Sequence, residues 1–208
     1  MPTYAVTVLW GSATRIGIEA VPYLSPLLFQ LGFGLSPFHS GLLLLATAAG
    51  NLGMKVFTSR VLRSFGFRRV AIVASTVAGA FAAGCGWLTP STPLVGMLCV
   101  LAVYGMARSM QFTTLGTLAY ADVDDSQRGP ASTLWSVAQQ MTIGLGIAFG
   151  ALCLRMSSAL HSARPGLEPG SFALVDFRWA FGAAGSVILL SVAGYVRLPR
   201  DAGSAIAR

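Results

Sequence analysis

The sequence predicts an all-α membrane protein with six transmembrane helices. Three observations carry this. Of 208 residues, 54% are hydrophobic and only 10% are charged, against roughly a quarter charged in a soluble domain. The apolar residues gather into six runs, each close to the about 20 residues that a spanning helix needs. The basic residues gather as well. The stretch SRVLRSFGFRR, Ser59–Arg69, together with Lys55 holds five of the fourteen Lys and Arg residues.

The expected helices cover about 5–31, 39–58, 70–88, 94–120, 131–154 and 177–196, with a tail over 197–208. They form a single membrane domain. The first begins within MPTYAVTVLWG, which lacks the basic start and cleavage site of a signal peptide. It carries Arg15, Glu19, Pro22 and Pro26 at offsets 0, 4, 7 and 11, one helix face. Two prolines free backbone carbonyls, which in a membrane must find protein or water partners. This face therefore looks inward. The second helix carries Gly41, Gly50, Asn51 and Gly53. The basic stretch follows it and reads as a cytoplasmic loop, since Lys and Arg concentrate on the inner side. The third helix is plain. The fourth holds Arg108 and Gln111 one turn apart, also expected to face the bundle interior because an ion at bilayer depth costs a few kcal/mol.

The fifth helix carries Gln139 and Gln140, then Gly144, Gly146 and Gly150. Its GLGIAFG superficially resembles a phosphate loop, but it follows no strand. Small residues that let helices approach account for it better. The two glutamines are read as interhelical hydrogen-bonding groups, and Asn51 with them. With the basic stretch inside, Arg128, Arg197, Arg200 and Arg208 join it, while Arg164 lies outside with Arg155 and Arg178 near the edge. Both termini are then cytoplasmic. Asp122, Asp124 and Asp125 do not alter this, since acids contribute little to orientation.

Several function classes fall away. The net charge of +7 resides mostly in connections, so it reports topology and not a nucleic-acid surface. Cys85, Cys99 and Cys153 lie in apolar runs without metal-ligand spacing. His39 and His161 lie at or in connections, and no HExxH, GxSxG or paired intramembrane carboxylate is present. No catalytic residue, metal or cofactor is expected.

The basic stretch resembles the loop between the second and third helices of each half of the major facilitator superfamily. Arg60, Gly66, Arg68 and Arg69 match its later part; its acidic position is missing. RIGIEAVPYLSPLLFQLGFGL with SPFHSGLLLL, and RGPASTLWSVAQQMTIGLGIAFG, resemble the C-terminal half of the 14-helix drug:proton antiporters. The resemblance implies a 3+3 inverted repeat within this half, with an N-terminal half absent from the chain. It implies a proton-coupled exporter of multiple drugs in a cell (inner or plasma) membrane. Arg15, Glu19, Arg108 and Gln111 would line one wall of the cavity. Glu19, as the only carboxylate deep in a span, would titrate. Its partners would be the bilayer, a small-molecule substrate, protons, and either the missing half or a second copy. Three alternatives stand beside this: a truncated, non-transporting membrane protein, a homodimeric half-transporter, and a mere Arg15–Glu19 neutralisation across one turn.

Overall fold

The computed structural model describes residues 2–119, 123, 127–161 and 172–197. Asp122, Asp124, Asp125, Arg164, Arg200 and Arg208 lie outside the described residues. Six helices follow one another: α1 (Pro2–Leu27), α2 (Pro37–Phe65), α3 (Phe67–Cys85), α4 (Leu94–Leu118), α5 (Arg128–His161) and α6 (Leu174–Val196). No strand occurs among the described residues. All but α1 are long and apolar enough to cross a membrane. Composition sets α1 apart: Ser12, Thr14, Arg15 and Glu19 dilute its hydropathy. It can hold them because other helices, not lipid, cover that face.

Several boundaries have visible causes. Below Pro26, α1 continues as a π-helical stretch, Leu28–Gly32, closed by Phe33 N–H on Leu28 O at 3.0 Å. Ser36 caps α2, accepting from His39 N–H, and Pro37 occupies the first turn, where its missing donor costs nothing. The basic stretch is not a loop. α2 runs on through Arg60 and Arg63 to Phe65, where cations oppose the negative end of the helix dipole. Gly66 alone, at φ 76°, joins it to α3. That left-handed backbone is open to glycine without strain. Arg68 then reaches to the adjacent α6, donating from Nη2 to Val196 O at 2.6 Å at its carboxyl end.

The packing has an internal two-fold pattern. α1 packs on α5 and α6; α4 packs on α2 and α3; α3 packs on α6. Exchanging α1–α3 for α4–α6 maps this set onto itself, as a 3+3 inverted repeat requires. α1 and α4 thus stand at the centre, between α2 and α5, with α3 and α6 behind. The outer pair is the least covered. Only 17% of the most apolar stretch of α2 and 22% of that of α5 are buried, against 44% for α3, α4 and α6.

Candidate functional site at the α1–α4 seam

α1 and α4 touch little along their length. What joins them is polar. Arg108 Nη2 lies 3.2 Å from both Glu19 carboxylate oxygens. The pair sits inside the bundle, with the side chains 24% and 10% exposed. A few residues along α4, Tyr104 donates its hydroxyl to Ile18 O at 2.8 Å. Ile18 is the residue whose carbonyl an α-helix would give to the amide of position 22, and Pro22 has none. Tyr104, wholly buried, therefore supplies the partner that the proline withholds.

Arg15 makes no ion pair with Glu19 among the described residues, though it stays close enough to feel that charge. Its guanidinium lies over the ring of Phe112 at 4.4 Å and that of Trp135 at 5.5 Å. Arg108 approaches the same Phe112 ring at 5.3 Å. Arg15 is buried, and its Nε and Nη1 find no hydrogen-bond acceptor among the described residues. Aromatic faces partly compensate such a desolvated cation. The seam holds two guanidiniums and one carboxylate.

Gln111 is not brought to this seam. It is fully buried and donates from Nε2 to Tyr195 Oη at 3.1 Å. Tyr195 Oη also lies 2.6 Å from Thr14 Oγ1, which is 2.6 Å from Ser191 Oγ. These residues tie α1, α4 and α6 together behind the seam.

A cavity of about 500 Å³ opens beside the ion pair. Arg108, Tyr104, Pro22, Ser25, Thr47 and Asn51 are among its lining residues, so α1, α2 and α4 all contribute. Among the glycines of α5, Gly146 lies closest to α1. A Cβ there would sit 2.7 Å from Glu19 Cβ and 2.8 Å from Ile16 O. Gly150 lies against Ala20. Gly144 meets nothing within 4 Å and Gln140 is exposed, so neither packs helices within this chain. Gln139 is half-buried.

Sequence reasoning missed four side chains that build the site: Tyr104, Phe112, Trp135 and Tyr195. Aromatic residues in an apolar helix carry no signal of their own, though a proline four residues after a carbonyl does call for a donor. It also overlooked a second buried carboxylate. Asp176 is 1% exposed in the first turn of α6, where it accepts from Ser157 Oγ at 2.7 Å and Ala173 N–H at 2.9 Å. An acid three residues into a helix is a capping pattern, and Asp176 serves as one.

A six-helix bundle of two matching triplets, with a charged seam between the first helix of each, is the arrangement that the sequence resemblance implies. Residues 2–151 match the Major Facilitator Superfamily, and the chain belongs to it. Among curated relatives, the putative multidrug resistance protein MdtD of Escherichia coli O6:H1 is 30% identical over 203 residues, covering 96% of this chain and 41% of the relative. Its counterpart in Pectobacterium carotovorum is 33% identical over 162 residues, covering 77% and 34%. That in Cronobacter sakazakii is 29% identical over 208 residues, covering 96% and 41%. The chain therefore spans about two fifths of the length of these relatives. No solved structure matches it.

Proposed function

We propose that this chain forms the C-terminal half of a proton-coupled exporter of small molecules, with both termini in the cytoplasm of a cell membrane. The observation that carries the reading is the Glu19–Arg108 pair bridging α1 and α4 beside the cavity. Charges at bilayer depth are expensive and normally mark a substrate or ion path. The name shared by its relatives, multidrug resistance protein, supports the direction and the breadth of substrate. The sparse burial of α2 and α5 supports a second half lying against them. Alternating access needs two bodies rocking about one site.

Coupling follows from the charge arrangement. Glu19 pairs with Arg108, and Arg15 stands near enough to feel both charges, its guanidinium and that of Arg108 each approaching the Phe112 ring. When Glu19 takes a proton, the attraction joining α1 to α4 is lost and two cations are left facing across the seam. The protonated and ionised states then favour different α1–α4 separations, and that differential is what a coupling ion must supply. Arg15, Glu19, Arg108 and the half-buried Asn51 form the proton and substrate wall; Gln111 braces it from behind.

The test is Glu19→Gln, which keeps the shape and removes the charge, in the transporter assembled from both halves. The expected result is normal membrane abundance with pH-driven export lost. Normal export per molecule would end the coupling role. Orientation is checked separately: an impermeant thiol reagent should label a cysteine placed at Ser91 from outside and leave one at Ser64 untouched.

A further inference from the structure

A second cavity, of about 510 Å³, lies away from the seam, between α2 and α3 with α4 as its floor. Its origin is the one-residue joint. Gly66 turns the chain so sharply that α2 and α3 leave it as diverging rods, with little contact between them. The wedge is walled by Met54, Val61 and Phe65 of α2 and by Val73 of α3, and is floored by Met110. Every lining residue is apolar except Arg69, which stands at the joint end. Arg69 is exposed, and no hydrogen bond or ion pair occupies its guanidinium within the described residues. Its neighbours are engaged: Arg68 holds Val196 O, and Arg63 Nε bonds Ser59 O.

The dimensions decide the occupant. From Phe65 back to Met54 the groove follows eleven helical steps, about 16 Å at the helical rise of about 1.5 Å. One leaflet of the hydrocarbon core is half of about 30 Å. The groove is thus one leaflet deep, apolar throughout, and closed at its polar end by a free cation among four arginines.

We propose that this groove holds one acyl chain of an anionic phospholipid, whose phosphate rests on Arg69. A chain seated between α2 and α3 fills the wedge, while the headgroup sits at the level of the basic turn. Anionic headgroups favour such clusters near a membrane surface. The inference does not depend on transport, and the α1–α4 seam takes no part in it.

The experiment uses the purified chain in a mild detergent, titrated with phosphatidylglycerol or phosphatidylcholine of identical chains, with native mass spectrometry counting bound lipid. Phosphatidylglycerol should be retained as a single copy, with phosphatidylcholine held at least five-fold more weakly. Arg69→Gln should remove about five-fold of that preference, while Arg63→Gln leaves it. Val73→Trp, at a position 60% exposed, should fill the wedge and abolish retention of both lipids. Val61→Trp fills it from the opposite wall should the first variant fail to fold. Equal retention of the two lipids, indifference to Arg69→Gln, or wild-type binding in a folded wedge-filling variant would overturn the site. Displacement by inorganic phosphate as effective as that by lipid would overturn it too, in favour of a bare anion site.

Discussion

The α2–α4 and α1–α5 crossings occupy matching places in the two inverted triplets, yet they are built differently. At the first, glycine faces backbone from both sides. A Cβ on Gly50 would run into Ala102 O, and one on Gly105 into Thr47 O. At the second, only α5 contributes glycine: Gly146 meets Ile16 O and Glu19, and Gly150 meets Ala20. The carbonyl of Ala102 does at Gly50 what that of Ile16 does at Gly146. Three residues further on, α4 has Gly105 where α1 has Glu19. One crossing is a symmetric lock between backbones. The other spends the same closeness on seating a carboxylate, which Arg108 then reaches from α4. The repeat sets the packing, and the chemistry lies where the repeat is broken.

The largest way to disturb this contrast is Arg108→Gln. It leaves Glu19 inside the bundle without its counter-ion, and removing one partner of a buried pair costs about 3 kcal/mol or more. Thermal unfolding in detergent should register that loss, and Glu19→Gln added to Arg108→Gln should recover most of it. A single variant as stable as the parent would mean that the pair is solvated and the seam already wet.

Substitutions at the crossings come next. Gly105→Val and Gly50→Val press a side chain into a neighbouring backbone that cannot rotate away. Overpacking of this kind costs about 2 kcal/mol. Gly146→Val meets the Ile16 carbonyl too, but part of its clash falls on the Glu19 side chain. The expected order of lost thermal stability is therefore Gly105→Val and Gly50→Val first, Gly146→Val second. The reverse order would place the tighter lock at α1–α5.

How much of this was legible beforehand depends on the kind of signal. The fold was readable because length and hydropathy act locally, and the inward faces of α1 and α4 because charge in a membrane has few other places to go. Arg15 with Glu19 looked like one unit, since i and i+4 share a face. The partner that won, Arg108, comes from another helix, and helical spacing holds no information about crossings. Gln111 parts from the seam for the same reason. One turn from Arg108 is also a rotation of about 60° about the axis, and with Phe112 taken up by both guanidiniums it points at Tyr195. The basic stretch read as a loop because charge marks a membrane edge and says nothing of whether the helix has ended there; Gly66 carried that signal. The aromatic partners were invisible, since Tyr104 in LAVYGM differs from a lipid-facing tyrosine only by what lies opposite.

Tyr104→Phe sharpens the contrast at a smaller scale. It keeps the ring and removes the donor to Ile18 O, the carbonyl that Pro22 leaves unserved. A net hydrogen bond is worth about 1 kcal/mol, so the melting temperature should fall modestly. Pro22→Ala in the same chain should make Tyr104→Phe nearly silent, because the helix then serves its own carbonyl. An equal loss in both backgrounds would show that the hydroxyl acts elsewhere.

The smallest effect belongs to Gly144→Ala, and its value lies in the contrast with Gly146 two residues away. Both were expected to pack helices. Gly146 is buried against α1, while Gly144 is exposed and a Cβ on it meets nothing within 4 Å. In the isolated chain the added methyl lowers the backbone entropy to be lost on folding, so stability should rise by about 0.5 kcal/mol. In the transporter assembled from both halves, the same methyl would stand on the thinly covered face of α5, where the proposed second half would lie. If small residues there allow two helices to approach closely, export should drop although the chain itself is no less stable. Unchanged export together with the small gain in stability would show that Gly144 faces lipid, and that the second half meets α5 on a different stripe.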